Sequence, residues 1–481
     1  MLPTQGRAIA IVGAGFSGSL LALHLLRRCA PDDRILLIER NQRFGLGLAY
    51  STGNPNHLLN VRAGNMSAFS DQPDHFVQWL RSLPAEMRAT LPDDPGPNSF
   101  VPRGLFGRYV QQLLGDRIWR QGNDRNLFLV NDEAVAMHRQ QDGWSVELAV
   151  GRKLPVDQAV LAIGNFPPRR SQPGYFGDPW AERALANLNS DAPVLLIGTG
   201  LTMIDTVISL LDQGHRGPIH AVSRRGLLPQ RHGAVAQAWR FAKLPQGASL
   251  CRLLRDVRAA IREAASENIN WRAVIDGLRP YTQRLWREMP IGERQRFLRH
   301  LRPWWDVHRH RAAPRIDSRI QEARERGQLR IAAARIGRIE HCIETVQVTL
   351  TARHGDRSVL NVNRVIDCSG LQSDLAKIDG PLIRQLLDAG HIRADALRLG
   401  IDIADGGAAI NTAGERHADL FAIGPMTKGA SWEITAVPDI RLACEELAAR
   451  LLILPATQAP PPSSSADILP FDPPARPQRA R

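Results

Sequence analysis

The segment RAIAIVGAGFSGSLLALHLLRR, residues 7–28, decides the fold of the first part of this chain. An apolar run leads into Gly13, Gly15 and Gly18 in G-x-G-x-x-G spacing, and leucines at helical spacing follow. This order predicts a strand, a tight turn and a helix. Glycines let a backbone approach a pyrophosphate closely, and the N-terminus of the helix supplies unpaired N–H groups.

A second apolar run, RILLIE at 34–39, ends on Glu39, about 20 residues after the last glycine. A carboxylate at that position accepts hydrogen bonds from the ribose hydroxyls of a dinucleotide. Strand, turn, helix and acid all occur in the expected order, so we predict a dinucleotide site here. Its candidate residues are Gly13, Gly15, Phe16, Ser17, Gly18, Glu39 and Arg40.

The chain repeats this pattern in DAPVLLIGTGLTMIDTVISLLDQGHRGPIHAVSRRG, residues 191–226. Gly198 and Gly200 follow an apolar strand, and Met203 stands where the third glycine would be. The next strand ends without an acid and runs into Arg224 and Arg225. Guanidinium groups pair with a 2′-phosphate that a carboxylate would repel, which favours NADPH over NADH. The alternative is that both arginines are ordinary solvated loop residues.

Each copy is followed by a strand-rich stretch and then by a buried strand that ends in a small-residue turn. These strands are VLAIGNFPP at 160–168, with Gly164, and VIDCSG at 365–370, with Gly370. The repeat therefore extends over whole domains. We count Gly164 and Gly370 among the candidate cofactor-binding residues.

Composition limits the class of protein. The chain has 481 residues, 43% of them hydrophobic, and a net charge of +13. Its longest apolar stretches are too short and too rich in glycine for a membrane span, and its five cysteines lack metal or disulfide spacing. We expect no metal, no membrane partner and a cytoplasmic location. The positive charge comes almost entirely from arginine, so we expect no nucleic-acid partner.

The paired motifs resemble those of two-dinucleotide-binding flavoproteins, in which the first site holds FAD and the second NAD(P)H. More narrowly, four segments are similar to one bacterial FAD/NAD(P)-binding family in which flavin-dependent hydroxylation of urate is one described activity. The segments are GAGFSG, GLGLAYSTGNPNHLLNVRAGNMSAF at 45–69, SRRGLLPQRH at 223–232 and FAIGPMTKGASWEITAVPDIR at 421–441. The resemblance covers roughly residues 6–455.

The resemblance implies further site residues. It places Gly424, at the end of an apolar strand, against the FAD ribityl chain, and a helix that begins near Ser431 beside the flavin. It also directs residues 45–60 past the flavin ring. From this we take Gly45, Gly47 and Trp432 as cofactor-binding candidates, and His57, Asn60 and Tyr50 as catalytic candidates.

Residues 293–311, ERQRFLRHLRPWWDVHRHR, lie in an insertion without a dinucleotide motif. Their helical spacing predicts a helix that Pro303 ends, followed by Trp304 and Trp305 at the substrate side. A nucleic-acid surface is the alternative, because basic and aromatic residues alternate there. Just before the second turn, YFGDPWAERA at 175–184 has no histidine, unlike the F-x-G-x-x-x-H-x-x-x-W motif of Baeyer–Villiger enzymes.

We therefore expect an α/β flavoprotein with two Rossmann-like dinucleotide-binding domains. The FAD domain would span 1–185 and 361–455, the inserted NAD(P)H domain 186–233 and 317–360, a helical cap 234–316 and a disordered tail 456–481. The expected activity is hydroxylation by O₂ of a small polar substrate, urate or an amine, through a flavin C4a-hydroperoxide. A flavin reductase or oxidase without oxygen insertion, and a non-enzymatic FAD-binding redox sensor, stay open. The sequence does not indicate an oligomeric state.

Overall fold

The computed structural model describes residues 6–89, 91, 95–120, 126–166, 171–241, 249–343 and 345–453, with side chains at all of these except 119 and 120. The chain divides into two compact units. The first unit contains the residues up to 55, residues 61–165 and those from 373 onward. The second unit contains residues 56–60 and 166–372.

The described residues form sixteen strands. In chain order they are β1 (Ala8–Val12), β2 (Arg34–Ile38), β3 (Leu127–Val130), β4 (Ala134–Arg139), β5 (Trp144–Leu148), β6 (Lys153–Val156), β7 (Gln158–Leu161), β8 (Tyr175–Phe176), β9 (Val194–Ile197), β10 (Ile219–Ser223), β11 (Leu329–His341), β12 (Val346–Ala352), β13 (Arg357–Val362), β14 (Arg364–Asp367), β15 (Ala408–Ile410) and β16 (Arg416–Ala422).

The same residues form fourteen α-helices. They are α1 (Phe16–Leu26), α2 (Gly47–Tyr50), α3 (His75–Arg81), α4 (Ala85–Ala89), α5 (Arg103–Arg120), α6 (Leu201–Asp212), α7 (Leu250–Ser266), α8 (Trp271–Leu278), α9 (Thr282–Glu288), α10 (Ile291–Arg296), α11 (Arg302–Arg309), α12 (Pro314–Glu325), α13 (Pro381–Asp388) and α14 (Val437–Ile453).

The first unit is built on a six-stranded sheet of order β15-β16-β7-β1-β2-β3. Strand β1 is buried along its whole length and pairs in parallel with β2 and β7. Continuous apolar runs such as AIAIV are typical of parallel strands covered on both faces. The strands β4, β5 and β6 form a separate antiparallel sheet in this unit.

The second unit repeats this arrangement in a seven-stranded sheet of order β13-β12-β11-β10-β9-β14-β8. Its central strands β9, β10, β11 and β14 are parallel, and β12 and β13 continue the sheet as an antiparallel extension. Thus β9, β10, β11 and β14 occupy the places that β1, β2, β3 and β7 have in the first unit. The expected α/β class with two Rossmann-like domains is confirmed.

The boundaries between the units differ from those expected from the sequence. The structure divides the chain near residues 165 and 372, where we expected 185 and 360. The reason is strand pairing: β14 pairs with β9, and β8 pairs with β14. The strand in VIDCSG therefore belongs to the second sheet, where β14 lies beside β9 just as β7 lies beside β1 in the first.

The insertion contains the predicted helical structure, but this helical structure continues beyond Pro303. A π-helical turn, Phe297–Leu301, joins α10 to α11, and Pro303 lies in the first turn of α11. A proline is tolerated there because the first N–H groups of a helix have no partner within it. The predicted end of a helix at Pro303 is therefore wrong. The expected tail at 456–481 lies outside the described residues.

Among the residues that the structure describes, none of the helices combines the length and the apolar character needed to cross a bilayer.

Candidate functional site

The first glycine turn has a geometry that only glycine satisfies. Gly13 has φ +100°, and a Cβ atom there would lie 2.4 Å from the Ala162 carbonyl oxygen at the end of β7. A Cβ atom on Gly18 would lie 1.9 Å from the Gly13 carbonyl oxygen. Helix α1 thus begins in direct contact with the turn. Gly15 is the N-cap residue of α1, and it has no side chain that could accept a hydrogen bond from the first N–H groups of the helix.

Glu39, the residue predicted to bind a ribose, lies beside the first glycine turn. It follows β2 directly, and its Oε2 atom accepts a hydrogen bond of 2.9 Å from the Ala14 amide inside the glycine turn. Its Oε1 atom accepts 3.0 Å from the Asn41 amide. The carboxylate is therefore fixed beside the turn. Arg40 is exposed, with its guanidinium 3.6 Å from the Glu133 carboxylate.

The loop that begins at Gly45 packs on this turn. The Gly45 amide donates 2.8 Å to the Ala14 carbonyl, and Gly45 has φ +88°. A Cβ atom on Gly47 would lie 3.1 Å from the Gly15 Cα atom. The two backbones are thus in near contact beside the N-terminus of α1. That residues 45–60 pass the flavin ring stays a prediction.

The side chains of this loop and of α1 form an aromatic cluster. The Tyr50 ring packs edge-on against Phe106 at 4.8 Å and against Phe16 at 5.7 Å between centroids. Burial raises the pKa of Tyr50, so its phenol stays neutral near pH 7. Phe16 and Tyr50 therefore present apolar surface beside the turn. A proton-transfer role for Tyr50 stays a prediction.

Two further glycines of the first unit lie at ends of strands near α1. Gly164 follows β7 with φ +72° and open space around its Cα atom. Gly424 follows β16 with φ +87°, and a Cβ atom there would lie 2.6 Å from the Ser17 hydroxyl oxygen. Gly424 and Ser17 thus lie side by side at the start of α1. The strand-end position expected for Gly424 is the one observed.

Trp432 is buried, with the Lys428 ammonium 4.7 Å from the centre of its ring. The helix expected to begin near Ser431 begins instead at Val437. Residues 431–436 form successive turns, and Pro438 occupies the first turn of α14. Pro438 suits that position because its missing N–H would have no partner there. The helix terminus expected at Ser431 is therefore Val437.

The second glycine turn reproduces the first closely. Gly198 has φ +105°, and a Cβ atom there would lie 2.5 Å from the Cys368 carbonyl oxygen at the end of β14. Gly200 caps α6 without a side-chain hydrogen bond and has open space around it. Gly370, at the end of β14, has φ +122° and open surroundings, as Gly164 has after β7. Met203 is fully buried at the third position.

The end of β10 differs from the end of β2. The Gly13 amide donates to the Ile38 carbonyl, and the Gly198 amide donates to the Val222 carbonyl. This equivalence places Ser223 where the first unit has Glu39. Ser223 was not among the residues predicted from the sequence, because aligning the two copies on Gly13 and Gly198 places Arg224, not Ser223, opposite Glu39.

Arg224 and Arg225, which follow Ser223, are both exposed. The Arg225 guanidinium donates a hydrogen bond of 3.3 Å to the His300 carbonyl in the π-helical turn. The two arginines thus differ: Arg225 is held by the insertion, whereas Arg224 extends from the turn and forms no ion pair with another described residue. Arg224 is therefore the better placed of the two to reach a 2′-phosphate.

His57 is buried among residues of the second unit. Its Nε2 atom lies 2.8 Å from the Ser209 hydroxyl and 3.0 Å from the Asp205 carbonyl on α6, and its ring packs against Trp180. This placement favours a structural role over the catalytic one that we expected. The carbonyl of Asn60 accepts 3.0 Å from His232 Nε2. Residues 56–60 belong to the second unit, whereas Gly45 and Gly47 belong to the first.

Within the described part of the chain there is no group of three or more His, Cys, Asp or Glu side chains placed to bind a metal ion.

Comparison with known proteins agrees with this geometry. Residues 10–166 match a family model described as FAD-NAD(P)-binding. Over 214 residues the chain is 26% identical to a probable FAD-binding monooxygenase, AlmA, of Acinetobacter sp.. That match covers 43% of this chain and 39% of the relative, about two fifths of its length.

Two solved structures share the fold. They are DfoA of Erwinia amylovora, a cadaverine monooxygenase bound to FAD, and the reduced form of the ornithine hydroxylase PvdA of Pseudomonas aeruginosa. DfoA is 11% identical with a TM-score of 0.63, over 97% of this chain and 99% of its own. PvdA is 14% identical with a TM-score of 0.62, over 93% and 99%.

The family match and the predicted residues fall in the same part of the chain. The matched residues 10–166 contain the first glycine turn, Glu39 and Gly164. Residues 10–166 are thus similar to an FAD-NAD(P)-binding domain, and the chain shares its fold with the two monooxygenase structures.

Proposed function

We propose that this protein is an FAD-dependent NADPH oxidoreductase that hydroxylates a small polar substrate with O₂. The observation that carries the proposal is the pair of matched glycine turns whose strand ends differ: Glu39 in the first unit, Ser223 with Arg224 in the second. A carboxylate suits the ribose hydroxyls of FAD, and it would repel a 2′-phosphate. A serine followed by arginine removes that repulsion and adds a bidentate donor.

The residues of the first unit fit an FAD group. Gly13, Gly15 and Gly47 allow close approaches of backbone around the turn that a side chain would prevent, and Glu39 would supply the acceptor for the ribose. Bound FAD would accept a hydride from NADPH and, once reduced, activate O₂. The role of the protein is then to bind both nucleotides, orient them and keep water out.

The thiols of the chain support this reaction over disulfide reduction. All five cysteines are free in the described residues. Burial raises the pKa of the Cys368 thiol to about 12 and raises the pKa of Cys444 as well. Neither thiol is ionised near pH 7, and ionised thiolate is the reactive form. Neither of these two buried thiols is therefore indicated as the nucleophile of a dithiol relay.

We propose a small amine as the substrate class, and urate as the second candidate. The amine follows from the two structures that share the fold, one named as a cadaverine monooxygenase and the other as an ornithine hydroxylase. The balanced reaction would convert amine, NADPH, a proton and O₂ into hydroxylated amine, NADP⁺ and water. Urate follows from the family resemblance of the sequence.

The test is product analysis of the purified protein with NADPH, O₂ and a panel of cadaverine, ornithine, lysine and urate. NADPH consumption, H₂O₂ release and hydroxylated product are measured together. The proposal predicts one panel member that lowers H₂O₂ per NADPH and yields hydroxylated product in its place. Full H₂O₂ release with every panel member would favour an oxidase, and flavin retention without NADPH turnover would favour a redox sensor. Either result contradicts the proposal.

The cofactor preference is tested with two variants. Arg224→Ala should raise the KM for NADPH about tenfold, the loss of one charge-assisted contact, while the KM for NADH stays within twofold. Arg225→Ala should have the smaller effect, because its guanidinium is bonded to the His300 carbonyl. Equal changes for NADPH and NADH in both variants would overturn the phosphate assignment.

A further inference from the structure

A chain of hydrogen bonds fixes the loop that follows β10. The Gly226 amide donates 2.9 Å to Ser223 Oγ, and Ser223 Oγ lies 2.9 Å from Thr199 Oγ1. Thr199 Oγ1 donates 2.6 Å to the Leu227 carbonyl. Because the single hydroxyl proton of Thr199 is used in that bond, Ser223 is the donor to Thr199. Each hydroxyl therefore donates once and accepts once.

This chain, which we call the hydroxyl clamp (Thr199, Ser223, Gly226 and Leu227), closes residues 223–227 into a fixed turn. Gly226 has φ +61°, a left-handed conformation that favours glycine. Arg224 lies within the turn and is exposed. The clamp holds the backbone from which the Arg224 side chain extends.

The first glycine turn has no such clamp. Ala14 stands in the place of Thr199, between the two glycines, and has no hydroxyl. Its amide donates instead to the Glu39 carboxylate. The clamp is therefore a property of the second turn, in the unit where the acid is replaced by Ser223.

We propose that Thr199 is a positioning residue that makes the second site selective for a 2′-phosphate. This inference rests on the proposed preference for NADPH. Thr199 itself is 6% exposed and acts through the loop, by holding Ser223 and Leu227 so that Arg224 faces the phosphate. Removing its hydroxyl leaves the Leu227 carbonyl and the Ser223 hydroxyl without these partners.

The test compares nucleotide selectivity in Thr199→Val, Thr199→Ser and a control. Thr199→Val keeps the shape of the side chain but removes the hydroxyl, and Thr199→Ser keeps the hydroxyl. Thr282→Val is the matched control, because Thr282 is also buried in the second unit and donates only to the Leu278 carbonyl of its own helical segment. The readouts are the KM ratio of NADH to NADPH and the dissociation constant of 2′,5′-ADP.

We expect Thr199→Val to lower the NADPH preference and to weaken 2′,5′-ADP binding about tenfold each, which corresponds to about 1.4 kcal/mol. Thr199→Ser should restore both to within twofold of wild type, and Thr282→Val should match wild type. A purely structural role for Thr199 would change NADH and NADPH binding equally. That result, or an unchanged preference in a folded Thr199→Val, overturns the inference.

Two controls keep the outcomes apart. If wild type shows no preference for NADPH and no 2′,5′-ADP binding, the proposed cofactor is wrong, whatever the clamp does. If wild type shows both, the variants test the clamp alone. Should Thr199→Val fail to fold, Ser223→Ala breaks the same chain at its other hydroxyl and has to reproduce the tenfold loss.

Discussion

The two glycine turns of this protein share a backbone but differ in the side chains around it. Gly13 and Gly198 have φ values of +100° and +105°, and a Cβ atom on either would lie 2.4 or 2.5 Å from a carbonyl oxygen. The differences are at the end of the second strand, Glu39 against Ser223, and between the glycines, Ala14 against Thr199. Under the proposed function, one backbone would serve two nucleotides, and a few side chains would select between them.

Adding a side chain at the first glycine of either turn should have the largest effect on nucleotide binding. Gly13→Ala should yield protein with little FAD, and Gly198→Ala should retain FAD but bind NADPH at least about a hundredfold more weakly. In both variants the new Cβ atom meets backbone, so the turn itself has to move. Flavin content after purification and nucleotide titration measure the two effects.

The controls for this pair are Gly151→Ala and Gly355→Ala. Both glycines have positive φ, +83° and +99°, but a Cβ atom there would have no neighbouring atom within 4 Å. These variants carry the backbone strain without the contact. If they lose nucleotide as completely as the turn variants, the explanation by close contact is wrong.

The third position of the turn gives the next difference between the units. Met203 is fully buried where the first turn has Gly18. Met203→Ala should lower the free energy of unfolding by about 3 kcal/mol, because a cavity replaces packed atoms. The measurement is denaturant unfolding, with the exposed Leu442→Ala as the control for loss of an apolar side chain. A loss below about 1 kcal/mol would show that Met203 does not pack the second turn.

Exchanging the strand-end residue tests the choice of nucleotide. Ser223→Glu gives the second unit the residue that the first has, and it also removes the hydroxyl bonded to Thr199. We expect the affinity for NADPH to fall about thirtyfold, or about 2 kcal/mol, while NADH binds as well as before or better. Competition titration with both nucleotides measures the change. Parallel losses for NADH and NADPH would show that the residue at this strand end does not discriminate between them.

Lowering the pH should have a smaller effect than these substitutions, and it should lower the stability of both units. Burial lowers the pKa of His24 in the first unit and of His215 in the second. The unfolded chain takes up protons at the ordinary histidine pKa of about 6.5 while the folded chain does not, so stability falls as the pH drops below about 6.5.

Replacing either histidine by glutamine should therefore make the loss of stability between about pH 7.5 and 5.5 smaller, by about 1 kcal/mol or less. Thermal unfolding at a series of pH values gives the slope. His354→Gln, at an exposed position, serves as the control. If stability changes with pH by the same amount in all three variants and in wild type, these histidines do not cause the pH dependence.

Much of the fold could be predicted because glycine spacing and apolar runs are local signals. The segments around Gly13 and Gly198 each predicted a strand, a turn and a helix, and these elements are observed. The unit boundaries could not be predicted, because β14 pairs with β9 across about 170 residues of sequence, and no local pattern records that pairing.

The residues of the candidate site also divide into those that local sequence patterns predicted and those that they did not. The strand-end positions of Gly424 and Glu39 followed from motifs. Ser223 and Thr199 were missed because their role depends on hydrogen bonds between two separate segments. His57 was chosen as a candidate because its polar type is visible in the sequence, whereas its burial against α6 is not.

The proposal as a whole requires that the first turn holds FAD and that the second selects NADPH. One experiment tests both requirements. The purified, flavin-containing protein is mixed rapidly with NADPH or NADH without oxygen, and the loss of flavin absorbance is measured. We predict that NADPH half-saturates the reduction at a concentration at least about tenfold below that of NADH. Protein that retains no flavin, or equal half-saturation by the two nucleotides, would contradict this assignment.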